Sequence, residues 1–127
     1  MAGYIVNIED VTQKNEYFRQ VLFTAPHSQL VVMSLLPLED IGEEVHKLDQ
    51  FIRVESGTGK TILDGVETDI ADGFAIVVPA GTRHNFINTS DTQAMKLYTV
   101  YSPAEHRDGT IHETKADAMA DEGDHAE

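Results

Sequence analysis

The sequence predicts a small all-β domain, and three observations support this. The chain has 127 residues, which suits a single hydrophobic core of ordinary size. Short runs of β-branched and aromatic residues are separated every 8–12 residues by glycine, proline or Asx residues. Before residue 116, no apolar stripe with helical spacing extends beyond two turns. The chain is therefore expected to consist of short strands around one core.

Nine of these runs are candidate strands: residues 4–8, 18–24, 30–36, 51–54, 59–63, 66–70, 75–78, 84–87 and 95–101. Between the fifth and the sixth, Asp64 and Gly65 have the composition of a two-residue type I′ turn, in which both residues need positive φ. Nine short strands in so small a domain indicate a barrel or a two-sheet sandwich, because both protect the strand edges.

The charge is strongly acidic and unevenly distributed. The 22 acids and 9 bases give a formal net charge of −13. Residues 104–127 hold 8 of these acids and only 2 of the bases, and residues 116–127 contain no aromatic or β-branched residue. We therefore predict a barrel over residues 1–103 and, over residues 104–127, a polar arm that ends in an acidic, flexible tail or frayed helix.

Composition also excludes several classes of partner and chemistry. An acidic field repels phosphate backbones and anionic headgroups, so neither nucleic acid nor a membrane surface is an expected partner. The longest apolar stretches are far shorter than the roughly 18 residues of a membrane-spanning helix, and no secretory signal is visible, so a cytoplasmic location is expected. The chain has no cysteine, so any metal must be held by nitrogen and oxygen ligands.

Residues 42–59 place possible metal ligands on one side of an extended segment. Glu44, His46 and Gln50 share the parity of the apolar residues Ile52 and Val54. A carboxylate that faces a barrel interior needs a partner, because burying it unpaired is very costly. A metal ion would be such a partner.

A second segment, residues 73–88, adds another histidine. An apolar strand ends at Pro79, a tight turn runs through Gly81, and His84 opens the next strand with Phe86 and Asn88 on its own side. The spacing from Gly73 through Pro79, Gly81 and His84 to Asn88 matches the second cupin motif at each defined position.

The first segment resembles the first cupin motif in Gly42, His46 and Gly57. It departs from that motif at two metal positions, where Glu44 replaces the usual first histidine and Gln50 the usual glutamate. The resemblance to small single-domain, RmlC-like cupins covers roughly residues 1–103. It implies a double-stranded β-helix, the cupin jelly-roll barrel, which is usually a homodimer and holds a divalent metal near its middle.

Carried over by position, the metal ligands are Glu44, His46, Gln50 and His84. Two imidazoles and one carboxylate form the donor set of non-heme Fe(II) sites, and iron, manganese, nickel or zinc all suit it. Gln50 is either a fourth ligand or a hydrogen-bond partner of the ligands. Three alternatives stay open: a site that has lost its metal, Glu44 as a solvated acid, and Asp49 turned inward by a bulge to supply the carboxylate.

Tyrosines and histidines near the end of the predicted barrel are further candidates. Tyr98 and Tyr101 lie on opposite faces of the last strand, so one faces the interior, and we take Tyr101, with Glu44, as a candidate catalytic residue. His106 and His112 belong to a segment that looks too polar for a core, so we expect this arm to pack outside the barrel or on a partner subunit.

Two functions follow from the resemblance. The first is a metal-dependent enzyme, isomerase- or epimerase-like or dioxygenase-like, that acts on a small polar organic molecule with the metal as Lewis acid. The second is a non-catalytic cupin that binds a sugar or an organic acid.

Overall fold

A computed structural model describes residues 2–124 of the chain. These residues form nine strands and two short helices, in the order α1 (Ile8–Lys14), β1 (Arg19–Thr24), β2 (Gln29–Leu35), β3 (Asp49–Ser56), β4 (Thr58–Leu63), β5 (Val66–Ala71), β6 (Ala75–Val78), β7 (His84–Asn88), β8 (Met95–Ser102), β9 (Ile111–His112) and α2 (Lys115–Ala120). The strands form a six-stranded sheet in the order β6-β3-β8-β2-β1-β9 and a three-stranded sheet in the order β5-β4-β7. The predicted all-β jelly-roll is confirmed.

The core lies between the inner faces of the two sheets. Alternation along β3 buries Gln50, Ile52 and Val54, as the parity of the first segment predicts. The residues packed there are almost all aliphatic: Val31, Met33, Leu35, Ile52, Val54, Ile70, Val78, Phe86, Met95 and Leu97 are among them. Polar side chains on these inner faces are therefore surrounded by apolar residues. Burying such a side chain costs free energy unless its hydrogen bonds are satisfied.

The structure explains two residues of the motifs, Gly57 and Asn88. At Gly57 φ is +100°, and a Cβ atom there would lie 2.8 Å from the carbonyl oxygen of Ala94, so only glycine fits. The Asn88 side-chain amide donates to the carbonyls of Leu35, Leu36 and Gln93 at 2.8–3.2 Å. Asn88 thus ties the end of β7 to two neighbouring loops.

The predicted turn at Asp64 and Gly65 is confirmed, since φ is +47° and +83° at these residues and Leu63 pairs with Val66. The predicted strand at 4–8 is wrong. Ile8 begins α1 instead, and the Asn7 side chain caps that helix by accepting from the Asp10 N–H. Residues 4–7 have no strand partner, so the β-branched pair Ile5 and Val6 does not form a strand.

The C-terminal segment packs on the end of the barrel. α2 begins with a capping box formed by Thr114 and Asp117, and beyond it Asp124 is 4% exposed. The boundary at residues 103 and 104 and the flexibility of the tail stay predictions, and residues 125–127 lie outside the described residues. Within residues 2–124, no helix is long and apolar enough to cross a membrane.

Candidate functional site

Three of the predicted metal ligands meet at one point. One ligand atom each from Glu44, His46 and His84 lies within 4.8 Å of the other two. The backbones of Glu44 and His84 form a two-way bridge, with N–H to carbonyl distances of 2.9 Å in both directions. The rings of His46 and His84 have their centroids 4.9 Å apart, and His46 Nε2 lies 3.8 Å from Glu44 Oε2. The loop after β2 is therefore fixed against the start of β7.

The tautomer of His84 is set by the turn that precedes β7. His84 Nδ1 lies 2.8 Å from the carbonyl oxygen of Thr82, and a carbonyl can only accept. Nδ1 therefore carries the proton, and Nε2 keeps its lone pair. The turn is tied to the other histidine, because the Gly81 N–H donates to the His46 carbonyl at 2.8 Å. The neutral ring of His84 thus has the tautomer in which Nε2 can bind a metal.

Gln50 offers a further oxygen on the inner face of the six-stranded sheet. Its side-chain Nε2 donates to Thr99 Oγ1 at 3.1 Å, which fixes the orientation of the amide. Its Oε1 is buried and has no hydrogen-bond partner. A buried acceptor without a partner is costly in free energy. The amide oxygen of Gln50 therefore fits the role of a metal ligand.

The alternative in which Asp49 supplies the carboxylate is wrong. Asp49 is exposed, and its Oδ1 accepts from the Ala80 N–H at 2.9 Å on the outside of the barrel. No bulge turns it inward, because β3 pairs with β6 and β8 in regular register at this end.

Tyr101 is the inward-facing tyrosine of β8, on the same side as Leu97 and Thr99. Its ring packs edge-on against His46 with centroids 6.0 Å apart, and its hydroxyl lies 3.4 Å from His106 Nε2. Burial raises the pKa of Tyr101 well above its ordinary value; Arg19 opposes this shift and the nearby carboxylates reinforce it. At neutral pH the hydroxyl therefore stays protonated and can donate a hydrogen bond.

An open cavity of about 780 Å³ lies beside Glu44 and His46. Glu44, His46, Lys47 and Glu105 contribute its charged and polar wall, and Pro26 and Leu48 are among its apolar residues. Its volume is in the range of small-molecule sites in proteins. The cavity is thus open to solvent next to two members of the cluster.

His106 and His112 are buried, so the expectation that their segment is too polar for a core is wrong for these two side chains. A ring nitrogen of each histidine is paired with an aspartate carboxylate. His106 Nδ1 lies 2.7 Å from Asp124 Oδ2, and His112 Nε2 lies 3.0 Å from Asp121 Oδ2. Composition alone could not reveal this, because the burial depends on pairing between segments that fold together.

A second cluster of possible ligands, formed by His112, Asp121 and Asp124, is better explained as an ion-pair network. Arg19 Nη1 lies 3.2 Å from His112 Nδ1, and a guanidinium only donates. His112 therefore accepts at Nδ1 and donates from Nε2 to Asp121, so neither nitrogen is left for a metal. The hydrogen bond from His112 lowers the pKa of Asp121, with help from Arg107.

Comparison with known proteins identifies the fold family. The family model described as Cupin domain matches residues 31–101. An uncharacterized protein of Acanthamoeba polyphaga mimivirus is 50% identical over 113 residues, which cover 85% of this chain and 70% of the relative. The uncharacterized protein YrkC of Bacillus subtilis is 47% identical over 126 residues, 94% of this chain and 67% of the relative.

A solved structure agrees closely over nearly the whole chain. A crystal structure of a protein from Bacillus halodurans is 45% identical, with a TM-score of 0.91, and the similarity covers 94% of this chain and 95% of that one. The similarity therefore extends past the barrel into the C-terminal segment.

Proposed function

We propose a metal-dependent function on the premise that this chain belongs to the cupin family. In this proposal one divalent ion, of iron, manganese, nickel or zinc, is held by Glu44, His46 and His84, with Gln50 as a fourth ligand or a hydrogen-bond partner. The observation that carries it is the tautomer of His84: the Thr82 carbonyl holds the proton on Nδ1 and leaves the Nε2 lone pair for a metal.

The proposed activity is that of an enzyme acting on a small polar organic molecule in the 780 Å³ cavity, isomerase- or epimerase-like or dioxygenase-like. When bound, the metal supplies Lewis-acid polarisation of a substrate oxygen. The chain supplies the rest: Lys47 adds a positive charge to the wall, and the candidates for moving or holding a proton are Tyr101 and, where it is not a metal ligand, Glu44. The competing function is a cupin that binds a sugar or an organic acid without turnover.

We expect the protein, purified without a histidine tag, to contain about one divalent metal ion per chain. Elemental analysis by mass spectrometry measures this, and dialysis against a chelator should remove the metal with retention of the far-ultraviolet circular dichroism spectrum. Protein that is metal-free as isolated and takes up none of the four metals would contradict the proposal. Turnover of α-hydroxy-carbonyl and enol compounds, with and without oxygen, then separates an enzyme from a binder.

We also propose that the chain is a homodimer formed through the outer face of the six-stranded sheet. An apolar row crosses this face, because strand register aligns Val77 with Phe51, Phe51 with Val100, Val100 with Leu30, and Leu30 with Phe23. Val77 is 63% exposed. Analytical ultracentrifugation at micromolar concentration should give twice the mass of the chain, and a monomer would contradict this proposal. The cytoplasmic location and the absence of nucleic-acid or membrane partners stay predictions.

A further inference from the structure

Glu105 is an acid that neither cupin motif includes, yet it reaches the candidate metal centre. It lies three residues after β8, is 8% exposed and lines the same cavity as Glu44 and His46. Its Oε2 lies 3.3 Å from His46 Nδ1. On the other side of the same ring, Nε2 faces Glu44 Oε2 at 3.8 Å. The two nitrogens of His46 thus face different carboxylates.

The position of Glu105 is fixed by a buried glutamine. Gln29 on β2 is 1% exposed, and its Oε1 accepts from the backbone N–H groups of Glu105 and His106 at 3.3 and 3.0 Å. Its Nε2 donates to the His106 carbonyl at 2.7 Å. Three hydrogen bonds from one rigid side chain hold this backbone in place. The Glu105 carboxylate therefore meets His46 from a prearranged position.

We propose that Glu105 is a positioning residue that orients His46 as a metal ligand, an inference that rests on the proposed metal site. As an acceptor beside Nδ1, the Glu105 carboxylate keeps the proton of the neutral His46 ring on Nδ1 and leaves the Nε2 lone pair on the side of Glu44. The Thr82 carbonyl does the same for His84. The two ligand histidines thus have the same tautomer, one set by the backbone and the other by a carboxylate on the segment that follows the barrel.

The test compares Glu105→Ala and Glu105→Gln with Glu113→Gln, a control at an exposed acid of the same C-terminal arm. Zn²⁺ and Ni²⁺ affinities are measured by chelator competition. Loss of a partner behind a ligand histidine typically weakens metal binding by about 10–100-fold, and we expect this for Glu105→Ala. Glu105→Gln keeps an acceptor oxygen and should recover most of the loss, while Glu113→Gln should bind as the wild type does. Equal affinities for wild type and Glu105→Ala, or equal losses in the two Glu105 variants, would overturn the positioning role.

A second readout does not depend on metal. In the metal-free protein at pH 9, ¹⁵N–¹H correlation spectra of the His46 ring should show the proton on Nδ1 in the wild type and Glu105→Gln, and on Nε2 in a substantial fraction of Glu105→Ala. An unchanged ring pattern in Glu105→Ala would refute the proposal. If the wild type binds no metal but the ring pattern changes as expected, the metal function fails and the action of Glu105 on His46 stands, so the two failures are distinguishable.

Discussion

Replacement of His84 by alanine is expected to weaken divalent metal binding by more than about 100-fold. Removing a partner behind a ligand histidine already costs about 10–100-fold, and this substitution removes the ligand itself. His84 is the ligand whose metal-binding nitrogen is defined most clearly, because the Thr82 carbonyl fixes its tautomer. The remaining donors, Glu44 and His46, would leave the ion more exposed to water and to competing chelators.

The measurement is a chelator competition titration with Zn²⁺, Mn²⁺ and Ni²⁺, together with anaerobic Fe²⁺. His27→Ala is the matched control, because it removes an exposed imidazole from a loop and should leave the affinity unchanged. Thermal unfolding of the metal-free proteins shows whether His84→Ala still folds, and the backbone bridge between Glu44 and His84 does not need the imidazole. Wild-type affinity in a folded His84→Ala protein would exclude His84 from the site.

The second motif shows what local sequence can predict. Pro79, Gly81 and His84 are close in the chain, and the geometry they predict depends on one turn and one strand. Gly81 has φ of +85°, and His84, Phe86 and Asn88 face inward as their alternation requires. The same alternation of side chains along a strand predicts that Gln50 lies on the inner face of β3, as it does. Local rules suffice where a single strand determines which way a side chain points.

Local rules cannot predict contacts between segments that are far apart in the sequence. Glu105 contacts His46 from a segment whose backbone is held by Gln29, a residue of β2 that lies far from it in the sequence. His106 and His112 look too polar for a core because their partners Asp124 and Asp121 lie in a tail whose composition suggests disorder. The misassigned strand at 4–8 has a related cause, because β propensity forms a strand only where a partner strand is available.

Replacement of Asp124 by alanine is expected to lower the free energy of unfolding by about 3–5 kcal/mol, the usual cost of breaking a buried ion pair by removing one partner. Asp124 Oδ2 lies 2.7 Å from His106 Nδ1 and 3.8 Å from Arg19 Nη1, and the side chains of all three residues are less than 10% exposed. Without the carboxylate, the Arg19 guanidinium stays buried near His112, and no other carboxylate of residues 2–124 lies within 4 Å of it.

Urea denaturation at pH 7 measures this loss, and Asp108→Ala, which removes an exposed acid from the same segment, is the control. Since 3–5 kcal/mol is a large part of the stability of a small domain, Asp124→Asn serves as a second variant that keeps the shape and removes the charge. A loss of less than about 1 kcal/mol in both variants, the range of a surface ion pair, would show that the network does not stabilise the fold.

The Asp124 carboxylate also predicts how the free energy of unfolding changes with pH. Burial alone would raise the pKa of Asp124, but the hydrogen bond from His106 and the positive charges of His106 and Arg19 outweigh it, so the pKa is lowered. A lowered pKa contributes stability that is complete above the ordinary carboxyl pKa, about 4, and that is lost as the pH falls through the folded-state value. The stability difference between wild type and Asp124→Asn should therefore shrink as the pH falls below about 4. A difference that stays unchanged at pH 3 would mean that Asp124 stabilises the barrel by its shape and not by its charge.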